Sequence, residues 1–237
     1  MKKLIVIFQS VFVCALFTIL VSFSLTSKSL EAQWIESIDI KNGDDGFINE
    51  DQVLELLKYH GLLYDKQEIF DIYSIELVIN NQPQIKDSQV SLNHNGSVDI
   101  SIIERSPTLR VFESDSSYYL DEDCHLIPLS NSYTSRNLIA SGDINYFKKE
   151  DICSLAKFIK SNEFLKSLIT QIHFKKDNTI LVTRIKNQHI NIGDLDSIEL
   201  KFNNLMLFYN NIIKYKGWTY YSSISLKYTD QIICSKN

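Results

Sequence analysis

From Leu4 to Leu25 the chain reads LIVIFQSVFVCALFTILVSFSL, 22 residues without a charge. At roughly 1.5 Å per residue a helix of that length crosses the roughly 30 Å of bilayer hydrocarbon. A cleaved signal peptide competes for the same segment, but its apolar region is usually only about 7 to 15 residues and ends at a small-x-small site. Ser22-Phe23-Ser24 is the one passable site here, so the reading favours a retained anchor. Lys2, Lys3 and the terminal amine all precede the run, which places the N-terminus in the cytoplasm and everything after the span outside. The expected layout is a tail over 1–3, a transmembrane helix over 4–25 and a single exported body.

Composition limits what that body does. The 237 residues carry 24 Lys and Arg against 29 Asp and Glu. Two of the basic residues lie before the span, so the exported part has a formal charge of −7. Such a surface offers no footprint for a phosphate backbone and no attraction to anionic lipid. With 7 Gly and 3 Pro in the whole chain, Gly-rich phosphate loops and Pro-rich spacers are excluded. Beyond the span lie Cys124, Cys153 and Cys234, which form at most one bridge; the pair stays unassigned, and buried thiols are the favoured reading.

The first part of the body, 33–105, reads as strand, helix, helix, strand, strand. Trp34 to Lys41 alternates apolar and polar residues as a short strand does. Asn49 with Gln52 three residues on forms a capping box for a helix that ends before Gly61, with Val53, Leu56, Leu57 and His60 on its inner face. A second helix is expected from about Lys66 to Asn80, stopped before Pro83. Ile85 to Asn93 and Ser97 to Glu104 flank Asn95-Gly96, a dipeptide suited to a two-residue type I′ hairpin. This order, a small sheet with two helices on one face, resembles the POTRA plan.

Ser106-Pro107 ends the hairpin and marks a boundary. The second part, 107–237, is expected to be a mostly antiparallel β domain with interspersed helices. Its strands fall at Thr108 to Glu113, Tyr118 to Leu120, Leu126 to Leu129, Ile169 to Phe174, Thr179 to Arg184 and His189 to Ile192, with a helix from about Lys149 to Lys160 that restarts through Leu168. Asp196 with Glu199 signals a helix start, followed by Ile198, Phe202, Leu205, Tyr209 and Ile212 at helical spacing and closed by Gly217. The chain ends in one strand that places Ile224, Leu226, Tyr228, Ile232 and Cys234 on one face and Ser223, Ser225, Lys227, Thr229 and Gln231 on the other, with Asp230 interrupting the apolar row. The fold class is therefore α+β.

No pattern of catalysis stands out. There is no G-x-S-x-G elbow, no H-E-x-x-H pair and no P-loop. Asp121, Asp123, Cys124 and His125 form the densest group of potential metal ligands, but a structural zinc site needs a second half, and a tight solvated hairpin explains them better. Cys153 lies in a helical pattern with Leu155 and Phe158, where packing is the expected role rather than nucleophilic attack. No catalytic residue, metal or cofactor is expected.

The segment VSLNHNGSVDISIIERSPTLRVF, followed by YYLDEDCHLIPLS and the closing SISLKYTDQ, resembles the bacterial cell-division family FtsQ, called DivIB in some lineages. The most specific pieces are Ile102 to Pro107, Tyr119-Leu120-Asp121 and Ile224 to Tyr228. Cys124 departs from the turn glycine usual in the family. The resemblance implies a non-enzymatic scaffold in the inner membrane, its ectodomain in the periplasm at the septum, holding FtsB-like and FtsL-like proteins. It implies that the closing strand is the docking edge for a strand of the FtsB-like partner, which carries over to Leu226, Lys227, Tyr228, Thr229, Asp230 and Gln231. An edge strand with unpaired backbone groups is physically suited to such addition. A membrane-anchored envelope hydrolase and a POTRA module of an envelope protein-transport system are the alternatives.

Overall fold

Alternation and capping set the first layer of the structure. The computed structural model describes residues 12–19, 21–22, 34–41, 46–63, 70–113, 116–131, 133–186 and 188–237. Much of the expected span lies outside these; residues 12–19 and 21–22 are helical, and among the described residues no helix is long and apolar enough to cross a membrane.

Strands β1 (Trp34–Lys41), β2 (Ile85–Leu92) and β3 (Ser97–Glu104) form a sheet in the order β1-β3-β2, with β1 parallel and β2 antiparallel to β3. Helices α1 (Glu50–Tyr59) and α2 (Ile72–Asn80) pack on it. The Asn49 side chain accepts from the Gln52 amide at 2.9 Å, and the Gln52 side chain accepts from the Asn49 amide at 3.0 Å, so the capping box forms as read. Val53 and Leu57 of α1, Ile75 and Ile79 of α2 and Val98, Ile100 and Ile102 of β3 fill one core. His60, expected inward, is exposed.

Two expectations need correction here. Helix α2 begins at Ile72, not near Lys66, because Asp71 caps it by accepting from the Ser74 amide and hydroxyl; residues 64–69 lie outside the described residues. The 95–96 turn is not type I′: Gly96 has φ 91°, but Asn95 has no positive φ. Gly96 N donates to Asn93 O and Asn93 N to Ser97 O, a loop one residue longer than the two-residue hairpin. The Asn95 side chain accepts from both the amide and the hydroxyl of Ser97, which holds it out of the left-handed region.

The larger sheet has nine strands in the order β12-β11-β10-β9-β8-β7-β4-β5-β6. In chain order these are β4 (Pro107–Phe112), β5 (Ser117–Asp121), β6 (Leu126–Ile127), β7 (Leu138–Gly142), β8 (Ile169–Lys175), β9 (Asn178–Thr183), β10 (His189–Gly193), β11 (Tyr221–Ser225) and β12 (Ile233–Lys236). The β4–β7, β7–β8 and β10–β11 joins are parallel and the others antiparallel. Helices α3 (Lys149–Ser161), α4 (Glu163–Leu168) and α5 (Ile198–Phe208) cover it. Ile152, Leu155, Ala156 and Ile159 of α3 meet Ile172, Phe174, Leu181, Ile190 and Ile224 of the sheet in a second core.

Helix α5 departs from its expected start and its expected stripe. Ser197, not Asp196, occupies the cap position and makes no side-chain cap bond. Past Phe208 the helix runs through a π-helical turn, Tyr209–Ile213. That turn adds a residue to the local repeat, so the inward position moves from Ile212, which is exposed, to Ile213, which is fully buried.

The two sheets meet through Phe47, which stands edge-on to Tyr119 and Tyr133 at centroid distances of 5.5 and 5.2 Å, with Ile127 completing the cluster. Arg105 bonds Asp121 at 2.9 Å across the same boundary. Glu104, adjacent in sequence, turns the other way: buried, it accepts from the Ile48 amide at 2.7 Å, and burial raises its pKa against the opposing pull of the Ile48 and Phe47 amides.

Candidate functional site

The six residues expected to bind a partner lie at the far end of the large sheet, but not as one strand. β11 stops at Ser225, residues 226–232 bend away, and β12 returns antiparallel to β11 from Ile233. This corrects the single closing strand read from the alternation. Leu226 is buried and its amide donates to Asn191 O at 2.7 Å, continuing the pairing with β10 for one residue past β11. Beyond it Lys227, Tyr228, Thr229, Asp230 and Gln231 are all exposed. The polar face and Asp230 favour solvent over the core, and the Thr229 carbonyl is held by the Asn204 side chain of α5 at 2.9 Å. The structure thus places the six residues together in a hairpin loop, with Leu226 serving the core.

Below the loop, Gly193 ends β10 with φ 70°, and a Cβ there would come within 3.1 Å of the Lys227 side chain. The lysine stem therefore lies over bare backbone. Next to it Lys201 is 3 % exposed, its Nζ donating to Asp194 O at 3.0 Å and to the Asp194 carboxylate at 2.6 Å. The Lys201 hydrogen bond holds the Asp194 carboxyl below its ordinary value, and Lys227 adds to the field.

Two features of the site were not read from the sequence. One is β12 itself, which pairs with β11 on one side and, among the described residues, has no strand on the other. Ile233 is half exposed on that edge, while Cys234 turns partly inward opposite Ile224, where burial raises its pKa. The other is Gln188, 1 % exposed. Its Nε2 donates to the carbonyls of Trp218 and Tyr221, each at 3.1 Å, and its Oε1 accepts from the Tyr209 hydroxyl. Burial pushes the Tyr209 pKa up, so the phenol remains a donor. This network ties the turn before β10 to the base of the closing hairpin. A glutamine directly before a strand carries no periodic signal, which is why the pattern missed it.

The acidic turn is engaged elsewhere. Asp121 Oδ1 accepts from the amides of Asp123 and His125 at 2.9 and 2.8 Å, while Oδ2 takes Arg105. Burial alone would raise this carboxyl, but the His125 amide, Arg105 and the Asp123 amide together hold it below its ordinary value. Asp121, Asp123 and His125 do lie close enough to face one ion, yet Asp121 spends both oxygens on the turn and the junction. Cys124 sits at φ 65° and forms a disulfide with Cys153 of α3, their Cα atoms 5.9 Å apart. This corrects the reading of both as buried thiols, and it takes from the hydrolase alternative the thiol it relied on. The turn that brought the pair together was not visible in their spacing.

By fold and site this is an α+β protein whose large C-terminal sheet ends, among the described residues, at the open edge of β12. A family model described as FtsQ/DivIB, C-terminal related, matches residues 106–235, more than half of the chain, and the protein belongs to that family. No curated protein matches the chain. Membership assigns it a role in cell division, in a non-enzymatic family that acts at the division site with other division proteins as partners.

Proposed function

We propose that this protein is an inner-membrane scaffold of the division machinery that joins FtsB-like and FtsL-like partners at the septum. In this reading residues 4–25 anchor it, 33–105 form a POTRA domain and 107–237 form the β domain that holds the partners in the periplasm. The uncharged run and the two lysines before it support the anchor. The β-α-α-β-β order of the small unit, with β1 and β2 flanking β3, supports the POTRA assignment.

The observation that carries the docking site is the free edge of β12, next to a loop of exposed residues and within the family-matched segment. Unpaired backbone groups along β12 can accept one further strand, while Tyr228 and Ile233, each half exposed, supply apolar contact on either side. Leu226 acts from beneath, by fixing the loop. Lys227, Thr229, Asp230 and Gln231 form its polar rim.

The test is a pull-down of the full-length protein in detergent against FtsB-like and FtsL-like ectodomains from the same genome. Tyr228→Lys, Asp230→Lys and Ile233→Lys are each expected to weaken capture while the protein keeps its thermal transition. At Ile233 a lysine on the edge strand blocks strand addition without entering the core, and at the exposed loop positions 228 and 230 it changes only the rim. Undiminished capture by all three would move the site elsewhere, and loss of the fold in any of them would mean that core had been taken for interface.

A further inference from the structure

Away from the closing hairpin, α3, α4 and the central strands enclose a cleft of about 840 Å³. Among the described residues its walls carry Arg110, Arg136, Lys160, Lys166 and Arg184 against a single carboxylate, Glu163. The chain as a whole has more acidic than basic residues, so this concentration runs against its composition. Glu163 lies 3.3 Å from Lys166 and balances at most that one charge.

Among the described residues none of the remaining cations is neutralised, and three of the four are held in place. Lys160 Nζ donates to the Thr108 hydroxyl at 3.1 Å and Arg184 Nε to the Ser167 carbonyl at 2.9 Å, both uncharged acceptors. Among the described residues Arg136 makes no ion pair. The Arg110 guanidinium lies 4.7 Å from the Phe112 ring centre and 5.4 Å from that of Tyr119, which fixes its plane. Its Nε is buried and has no hydrogen-bond acceptor among the described residues.

We propose that the cleft binds an acidic peptide segment of a partner protein, its carboxylates taken by Arg110, Arg136 and Arg184. Guanidinium groups match carboxylates in a fork geometry, and arginine clusters are a recurrent means of reading acidic motifs. Beneath them the floor is aliphatic: Ile159 and Ile169 are buried and Ile139 is half buried. That suits a chain carrying both carboxylates and apolar side chains. The volume falls within the roughly 300–1,000 Å³ range of sites for organic ligands, well above the need of one phosphate. In the sheet order β11, β10 and β9 stand between β12 and the strands that line the cleft, so this site is separate from the docking edge and does not rest on it.

Fluorescence anisotropy on the full-length protein in nonionic detergent tests the site. The probe is a short labelled peptide of Glu, Leu and Ser, and its control has Gln in place of every Glu. Saturable binding of the Glu peptide that weakens with salt is expected, with about a tenfold loss for Arg136→Glu and for Arg184→Glu. Arg110→Gln should weaken it similarly, while Lys214→Glu, outside the cleft, leaves it unchanged; thermal melts establish that each variant is folded. Equal binding of the Gln peptide, or affinity unmoved by the three arginine variants, overturns the proposal. Displacement by inorganic phosphate as effectively as by unlabelled peptide overturns it in favour of a phosphate site.

Discussion

Replacing Gln188 by leucine removes three hydrogen bonds at the base of the closing hairpin while keeping the volume of the side chain. The Tyr209 hydroxyl, in a residue 3 % exposed, loses its acceptor outright, and a buried orphan of that kind costs about 1–3 kcal/mol. The Trp218 and Tyr221 carbonyls each lose a bond whose net contribution is about 1 kcal/mol. Allowing for the better burial of leucine, the variant should lose about 3 kcal/mol of unfolding free energy. Urea unfolding measures that directly. A double-mutant cycle then isolates the mechanism: Tyr209→Phe alone should cost about 1 kcal/mol, and in the Gln188→Leu background it should cost nothing or stabilise, because the orphaned hydroxyl is gone. The consequence for the site is local, since β11 is anchored through Tyr221. Hydrogen exchange in β11 and β12 should accelerate more than in β8 and β9. If Gln188→Leu unfolds at the wild-type midpoint, or the two substitutions add without coupling, the network is not what holds the hairpin.

Three further outcomes follow from features of the fold. Cys124→Ser opens a covalent loop of sequence separation 29, which the chain-entropy relation sets at about 3.5 kcal/mol of stability; wild type in reductant should lose a similar amount, and equal midpoints with and without reductant would refute it. Asp121 has a pKa held below 3.8, so its contribution is complete above the unfolded value and disappears as pH falls through the lower folded one; Asp121→Asn should therefore flatten the acid limb of a stability–pH profile below about pH 4. A Cβ on Gly46 would meet the Glu104 carboxylate at 2.6 Å, and that carboxylate is buried and fixed by the Ile48 amide. Gly46→Ala should then cost about 1–3 kcal/mol by thermal or urea unfolding, much of it absent when Glu104 is already alanine.

How much of this was legible in the sequence follows from the range of each signal. The capping box of Asn49 and Gln52, the succession of strand, helix, helix, strand, strand in the small unit and most strands of the large sheet depend on neighbours within a few residues, and they appear as read. Strand β7 was missed because Leu-Ile-Ala-Ser-Gly is short, does not alternate and owes its conformation to parallel pairing with β4 and β8. The Ile212 to Ile213 shift depends on a π turn that no spacing announces. The closing strand failed for the opposite reason: apart from Asp230 the apolar alternation runs from Ile224 to Cys234, so period alone cannot see that Leu226 drops into the core and the chain reverses after it. At the site, the six residues expected to bind a partner fall in the loop before β12, and Ile233–Lys236 was not read as a strand of its own. The ion pair of buried Lys201 with exposed Asp194 and the partner of Cys153 rest on contacts formed only in three dimensions.

The order of the large sheet also sets a distance. The junction with the small sheet is made at β5 and β6, through Tyr119 and Ile127, whereas the open edge belongs to β12. Eight inter-strand steps of about 4.8 Å separate the first strand of that order from the last, some ~38 Å measured along the sheet. A chain held on β12, as proposed above, would therefore lie most of the sheet's width away from the small unit. Lengthening the loops of this protein would leave that separation unchanged; removing one interior strand would shorten it by a single step.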